Sequence, residues 1–269
     1  MTKLNDFIPE RKKQNYIDNL YSLFDQYQSI RKSSPDHLEH IQISYSESRI
    51  ISVLIQLHKP NKIIEIGSFI GYSTAHIIQA LECVSPSDNS IKTDKSIFIT
   101  FEKNKKYYSI LRKNMLDLSL KKNNQNFNEK SDKNQKTNII NENIDIINFS
   151  HLDLITVNDN ADICLDNIKN RFFEKEKIDM IFIDGSKNSY PEYLKFANKN
   201  LRKGGLIISD NTLLFNSMNN YSNSDEILDK KLKKMWININ SFNQELAHSE
   251  LYYSIIIPTF HGMSIAIKV

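Results

Sequence analysis

The chain has 269 residues, 40% hydrophobic and 25% charged, with a formal net charge of +3. This balance suits a folded globular domain and excludes collagen-like and wholly disordered classes; apolar runs such as Ile181 to Ile183 and Ile255 to Ile257 also fall far short of the roughly 20 residues of a spanning helix. The small charge argues for neither nucleic acid nor an anionic membrane as partner.

The first 40 residues read as an N-terminal helical extension, with Tyr16, Leu20, Leu23, Phe24 and Tyr27 at helical spacing before Ser33-Ser34-Pro35 breaks the pattern. A charged N-terminus without an apolar stretch is not a secretory signal. Cys83 and Cys164 form neither a disulfide framework nor a metal-ligand spacing, so a reducing cytoplasm is the expected location. The rest, residues 41–269, reads as one doubly wound α/β domain. Its first helix covers Ser46 to His58, with Ile50, Ile51, Leu54, Ile55 and Leu57 on the apolar face, and Pro60 stops it.

Strand and helix then alternate. Strands are predicted over Lys62 to Ile66, Ser96 to Phe101, Asp145 to Phe149, Ile178 to Ile183 and Leu206 to Ser209. Helices are predicted over Ser73 to Leu81, Tyr107 to Leu118 and Tyr190 to Leu201. The run Ile178 to Ile183 is apolar except for Asp179, as expected of a strand covered on both faces. Tyr252 to Pro258 and Met263 to Val269, joined across Thr259 to Gly262, form a hairpin. The expected sheet is therefore mostly parallel with a C-terminal antiparallel pair and helices on both faces. Residues 121–144 contain eight Asn and five Lys, a composition too polar to pack, and are expected to form a disordered surface insertion. Cys83 to Lys95 reads as a shorter loop of the same kind.

Glycine is scarce, at six residues, so each marks a place where a side chain is not tolerated. Gly67 and Gly71 follow the first strand in Glu65-Ile66-Gly67-Ser68-Phe69-Ile70-Gly71-Tyr72-Ser73. The G-x-x-x-G spacing is not the dinucleotide G-x-G-x-x-G, and no G-K-[ST] follows to make a P-loop. Glu65, ahead of the turn, would repel a pyrophosphate but attract an ammonium. Glu102, closing the second strand, can take the hydroxyls of a ribose. A ribose with a cationic amino-acid tail, as in S-adenosylmethionine, fits better than NAD.

A second cluster, Asp184-Gly185-Ser186-Lys187, ends the strand at Ile183, and Asp210-Asn211 ends the next. One helix links these strands, so a right-handed crossover sets them side by side. Asp184, Asp210 and Asn211 are then hard oxygen donors for Mg²⁺, Mn²⁺ or Ca²⁺. A cation beside Lys187 would lower its pKa and fit it to act as a base.

These motifs together resemble the cation-dependent O-methyltransferases, the family of caffeoyl-coenzyme A and catechol O-methyltransferases. The resemblance rests on Glu65-Ile66-Gly67 with Gly71-Tyr72-Ser73, on Phe101-Glu102, on Ile183-Asp184-Gly185-Ser186-Lys187 with Tyr190, and on Ser209-Asp210-Asn211-Thr212-Leu213. The closing Phe242-Asn243, Ile255 to Pro258 and Gly262-Met263-Ser264 extend it, as does the spacing from Glu47 to Glu65. It implies an S-adenosylmethionine-dependent enzyme, a homodimer, with a divalent ion, Mg²⁺ before Mn²⁺ or Ca²⁺, on Asp184, Asp210 and Asn211. Lys187 would be the general base or would position the acceptor hydroxyl, with Asp184 also catalytic. Glu65, Gly67, Ser68, Phe69, Gly71, Ser73, Glu102, Lys103 and Asp184 would hold the cofactor, with Ser150 and His151 near its adenine. The chain departs from the family's pattern at Ser186 and His261, each in place of an aspartate, and at Asn148 to His151, in place of a small Gly-x-Ala. The expected acceptor is a small, vicinal-dihydroxy aromatic molecule, reached by the N-terminal helix, by Leu213 to Asn220 and by Trp236. A tRNA hydroxyuridine methyltransferase, a nicotinamide-dependent dehydrogenase and a non-catalytic binding protein stand as alternatives.

Overall fold

The isoleucine-rich runs pair side by side at the centre of one sheet. The computed structural model describes residues 10–83, 95–125, 138–141, 143–214 and 230–269. Its strands are β1 (Lys62–Ile66), β2 (Ser96–Phe101), β3 (Asn138–Asn141), β4 (Ile144–Asn148), β5 (Leu152–Val157), β6 (Ile178–Ile183), β7 (Leu201–Ser209), β8 (Tyr252–Ile257) and β9 (Met263–Lys268). Among the described residues they form a nine-stranded sheet ordered β3-β4-β5-β2-β1-β6-β7-β9-β8. β5, β2, β1, β6 and β7 are parallel, and the β8–β9 hairpin joins β7 antiparallel, as the sequence predicts.

Alternate strand residues point to opposite faces, and both faces are covered. On one, Ile63, Phe98, Phe182 and Ile208 meet α3 (Tyr45–His58), α4 (Tyr72–Cys83) and α5 (Lys105–Gln125) through Ile51, Ile55, Ile77 and Leu111. On the other, Ile64, Ile99, Ile181 and Ile207 meet α6 (Ala161–Phe173), α7 (Tyr190–Asn200) and α8 (Lys230–His248) through Leu165, Leu194 and Phe242. Two-sided burial is why these strands read as unbroken apolar runs. Among the described residues no helix is long and apolar enough to cross a membrane.

Four expectations change. The strand at Asp145 to Phe149 exists as β4 but runs antiparallel, and the next parallel strand is β5, followed by α6. Phe149 N bonds Leu152 O at 2.9 Å, and so short a connection admits only an antiparallel return. Residues 121–144 are ordered at both ends: α5 runs on to Gln125, and Asn138–Asn141 is the edge strand β3. The middle of that segment, residues 84–94 and residues 215–220 of the expected acceptor loop lie outside the described residues. The helix α8, through Trp236 and Phe242, was not expected.

The N-terminal helices α1 (Glu10–Ser22) and α2 (Gln28–Lys32) form, but Tyr16, Leu20, Leu23 and Phe24 face solvent, while Tyr27 and Ile30 enter the core. α1 docks by polar contacts instead. Gln14 Nε2 donates to Ser46 Oγ at 2.8 Å, and Ser46 N donates to Asp18 Oδ1 at 3.0 Å, at the start of α3.

Candidate active site

Beyond the last strand residues the backbone ladder continues for one more bond per strand. Asp210 N donates to Ile183 O at 3.0 Å, Asp184 N to Ile66 O at 2.9 Å, Gly67 N to Phe101 O at 3.0 Å, and Glu102 N to Val157 O at 3.0 Å. These bonds set Asp210, Asp184, Gly67 and Glu102 in a row along the carboxyl edge, about 4.8 Å apart from strand to strand. The chain order reverses beside β1, which has β2 on one side and β6 on the other, and the crevice of a doubly wound sheet opens at such a point. A cavity of about 420 Å³ lies there, lined by Gly67, Phe69, Glu102, Lys103, Asp184, Lys187 and Asn211, among others.

The turn after β1 is shaped by backbone proximity. Gly67 has φ +93°, and a Cβ there would lie 2.5 Å from the carbonyl oxygen of Asp184. Gly71 has φ +92°, and its Cβ would lie 2.7 Å from Leu111 Cδ1 and 2.8 Å from Met115 Cε; it serves helix packing and does not line the cavity. Between them Phe69 is left-handed at φ +49°, a conformation an aromatic residue holds only when its surroundings impose it. Its amide donates to Glu102 Oε2 at 2.9 Å, and Asn104 N donates to Oε1 at 2.7 Å. Glu102 is thereby fixed facing the cavity; burial raises its pKa, against the pull of those two amides. The Phe69 ring sits edge-on to Tyr107 at 4.6 Å.

Glu65 lies beneath this site, not in it. It is fully buried, and its carboxylate accepts from Ser73 Oγ at 2.5 Å, Thr74 Oγ1 at 2.6 Å and Thr100 Oγ1 at 2.6 Å. Burial pushes its pKa up to about 7 against the three hydroxyls. Glu65 and Ser73 thus engage each other, and the buried Ser68 donates to Phe101 O at 3.3 Å. Three hydroxyls from α4 and β2 thus hold the Glu65 carboxylate, and Glu65 is not among the residues that line the cavity.

Ser150 and His151 lie elsewhere. They precede β5, whose first residue pairs with Ser96 at the start of β2, and so sit at the amino edge of the sheet, across it from the cavity. His151 N bonds Glu82 there at 3.0 Å. The strand that reaches the cavity is β5, and Asp159, Asn160 and Ala161 after it line the wall. A sequence signal for this existed. Asn160 is the N-cap of α6, its side chain accepting from Asp162 N, and an Asn ahead of a helical run marks such a start.

The ends of β6 and β7 form the acidic corner. Lys187 Nζ donates to Asp184 Oδ1 at 2.8 Å, with side-chain exposures of 11% and 15%. Tyr190 OH donates to Asp210 O at 2.7 Å and ties the two ends together. Asn211 is left-handed at φ +58°, a conformation Asn tolerates, and both its backbone N and its Nδ2 donate to the Asp210 carboxylate, at 2.7 and 2.8 Å. Burial, then the charges of Glu47 and Asp184, raise the pKa of Asp210, which is 1% exposed; burial raises that of Asp184 against the pull of Lys187. The base role expected of Lys187 depends on a cation beside it; without one, its surroundings favour the ammonium. Burial works against its ammonium, but the charges around it, Asp184 first, more than offset this and hold its pKa above the ordinary lysine value.

Among the described residues no three acidic, histidine or cysteine side chains converge on one metal position. What converges is a carboxylate pair with one amide, the oxygen set that hard divalent cations take with open positions left for water and substrate. Among the described residues, the repulsion between Asp184 and Asp210 beside Lys187 fits a cation, and so does a buried Glu47 Oε1 with no hydrogen-bond partner.

Comparison with known proteins agrees with this architecture. A family model described as O-methyltransferase matches residues 20–269. "Probable caffeoyl-CoA O-methyltransferase 3" of Dictyostelium discoideum is 27% identical over 130 residues, 44% of this chain and 52% of that protein, so the chain spans about half the length of that relative. The O-methyltransferase TomG of Streptomyces achromogenes, solved with S-adenosylmethionine, is similar with TM-score 0.66 and 18% identity over 97% of this chain and 100% of that one. A Podospora anserina methyltransferase, solved with S-adenosylhomocysteine, has TM-score 0.63 and 16% identity over 97% and 98%. At that identity the two structures establish the fold. The family match spans every strand of the described sheet, and on that basis the chain belongs to the O-methyltransferase family.

Proposed function

We propose that this enzyme transfers the methyl group of S-adenosylmethionine to one hydroxyl of a small vicinal-dihydroxy aromatic acceptor, with a divalent cation held by Asp184, Asp210 and Asn211. The observation that carries the reading is the row of Asp210, Asp184, Gly67 and Glu102 on consecutive strand ends around one cavity, with Lys187 at its acidic end. Glu102, fixed by two amides, takes the ribose hydroxyls. Gly67 gives the donor's tail access to the backbone, and Asp159, Asn160 and Ala161 border the adenine. The bound cation, Mg²⁺ before Mn²⁺ or Ca²⁺, would lower the pKa of an acceptor hydroxyl and orient it.

The chain's own residues do the rest by position. Oxygen to carbon bond formation accompanies carbon to sulfur cleavage, the sulfonium becomes a neutral thioether, and the hydroxyl proton leaves to solvent. Lys187, placed at the acidic end of the cavity by its hydrogen bond to Asp184, orients the acceptor oxygen and stabilises its developing charge. Holding the reacting atoms in line inside the cavity accounts for most of the acceleration.

The test is a radiolabelled methyl-transfer screen over catechols, hydroxycinnamoyl thioesters and bulk tRNA, with Mg²⁺ or with EDTA. The reading expects Mg²⁺-dependent methylation of a dihydroxy aromatic. Turnover undiminished by EDTA removes the metal, and turnover on tRNA alone removes the small acceptor.

A further inference from the structure

Glu47 is the N3 residue of α3, where a capping box holds it: Ser44 N donates to its Oε2 at 2.6 Å, while its own amide donates to Ser44 Oγ at 3.3 Å. A capping-box glutamate ordinarily lies at a wet helix end. This one is 3% exposed, and its second oxygen, Oε1, is buried with no hydrogen-bond partner among the described residues. Leaving a carboxylate oxygen in that state is costly unless it serves something. It lies close enough to the acidic corner for its charge to act on both Asp184 and Asp210, and on the imidazole of His261 in the closing hairpin. Three carboxylates, Glu47, Asp184 and Asp210, thus act on one another at a corner whose ammonium, Lys187, pairs with Asp184.

We propose that Glu47 is a positioning residue of the cation site, whose unpartnered Oε1 supplies the charge that draws a divalent ion to Asp184, Asp210 and Asn211 without itself binding that ion. The inference rests on the cation reading above. Two negative charges in excess of Lys187 are what one divalent ion neutralises. Since three acidic side chains do not converge on a common metal position among the described residues, Glu47 acts across the site, directly or through a bridging water. The cap gives it a fixed place. α1 reinforces that place through Asp18 and Gln14 on Ser46, the residue before it.

The experiment is Mn²⁺ binding to the full chain by electron paramagnetic resonance, with thermal melts in EDTA. Glu47→Gln keeps an oxygen for the Ser44 amide and loses only the charge. It is expected to weaken Mn²⁺ binding by about tenfold or more, and to melt above wild type in EDTA because mutual repulsion is relieved. Glu47→Asp, which keeps the charge, and Ser44→Ala, which loses the Oγ half of the cap but keeps the Ser44 amide on Oε2, are each expected to stay within about threefold of wild-type affinity. Ser44→Ala melts lower.

Glu47→Gln binding Mn²⁺ like wild type, or melting below it in EDTA, overturns the inference and leaves the Asp184–Asp210–Asn211 site standing. Glu47→Asp weakening as much as Glu47→Gln overturns it too, since position and not charge would then decide. If wild type takes up no Mn²⁺, or Asp184→Asn binds it unchanged, the cation site itself fails and the inference with it.

Discussion

Lys187 Nζ lies 2.8 Å from Asp184 Oδ1 and 5.3 Å from the centroid of the Tyr190 ring. The ammonium is therefore the counter-charge of the acidic corner in the metal-free chain. Lys187→Met leaves Asp184 and Asp210 facing each other unneutralised and is expected to cost about 3 kcal/mol in urea denaturation at neutral pH. The double variant Lys187→Met/Asp184→Asn should recover most of that loss, because neither charge is then left alone. Additive effects in that cycle would contradict the pairing.

Glu65 makes a prediction about pH. Its folded-state pKa of about 7 lies above the ordinary 4.5, so the native chain binds a proton that the unfolded chain releases over that window. The associated stability is complete below the lower value and lost as pH rises through the upper one. Glu65→Gln removes this dependence. Between about pH 5 and about pH 8 the stability of wild type relative to Glu65→Gln should fall by on the order of 3 kcal/mol, read from urea midpoints. A constant difference across that range would show that Glu65 does not titrate there.

The two glycines of the β1 turn should respond differently. A Cβ at Gly71 meets the far ends of Leu111 and Met115, which can move; Gly71→Ala is expected to cost about 1–3 kcal/mol with activity retained. At Gly67 the Cβ meets the backbone of Asp184, which cannot move without parting β1 from β6. Gly67→Ala should destabilise more and abolish methyl transfer. Equal behaviour of the two variants would refute the distinction.

The cavity wall after β5 predicts where the adenine binds. Ala161→Leu fills space that the cavity leaves open and should weaken S-adenosylhomocysteine binding by about tenfold or more in calorimetry, about 1.4 kcal/mol. His151→Ala, at the opposite edge of the sheet, should leave that affinity unchanged. The reverse pattern would return the adenine to Ser150 and His151.

The alternation of strands and helices, the closing hairpin and the pairing of the β6 and β7 ends were legible in the sequence. Each is a local periodicity or a consequence of crossover handedness, and Gly67, Glu102, Asp184 and Asn211 stand just past strand ends that periodicity marks, with Lys187 three residues beyond Asp184. Strand direction after Asn148 was not legible. β4 and β5 carry equally apolar runs, and only pairing to β2 tells which one is parallel, so Ser150 and His151, expected near the adenine, fell on the edge opposite the cavity. The side-chain contacts of Glu65 were hidden for a similar reason. A carboxylate at a strand end reads the same whether it faces a ligand or three hydroxyls brought in from α4 and β2. The charge state of Lys187 is likewise a sum over neighbours that folding brings close. Sequence spacing sets which residues share a strand end; the burial and partners of each side chain are set by packing from distant parts of the chain, and these decide which carboxylates face the cavity and which brace it from below.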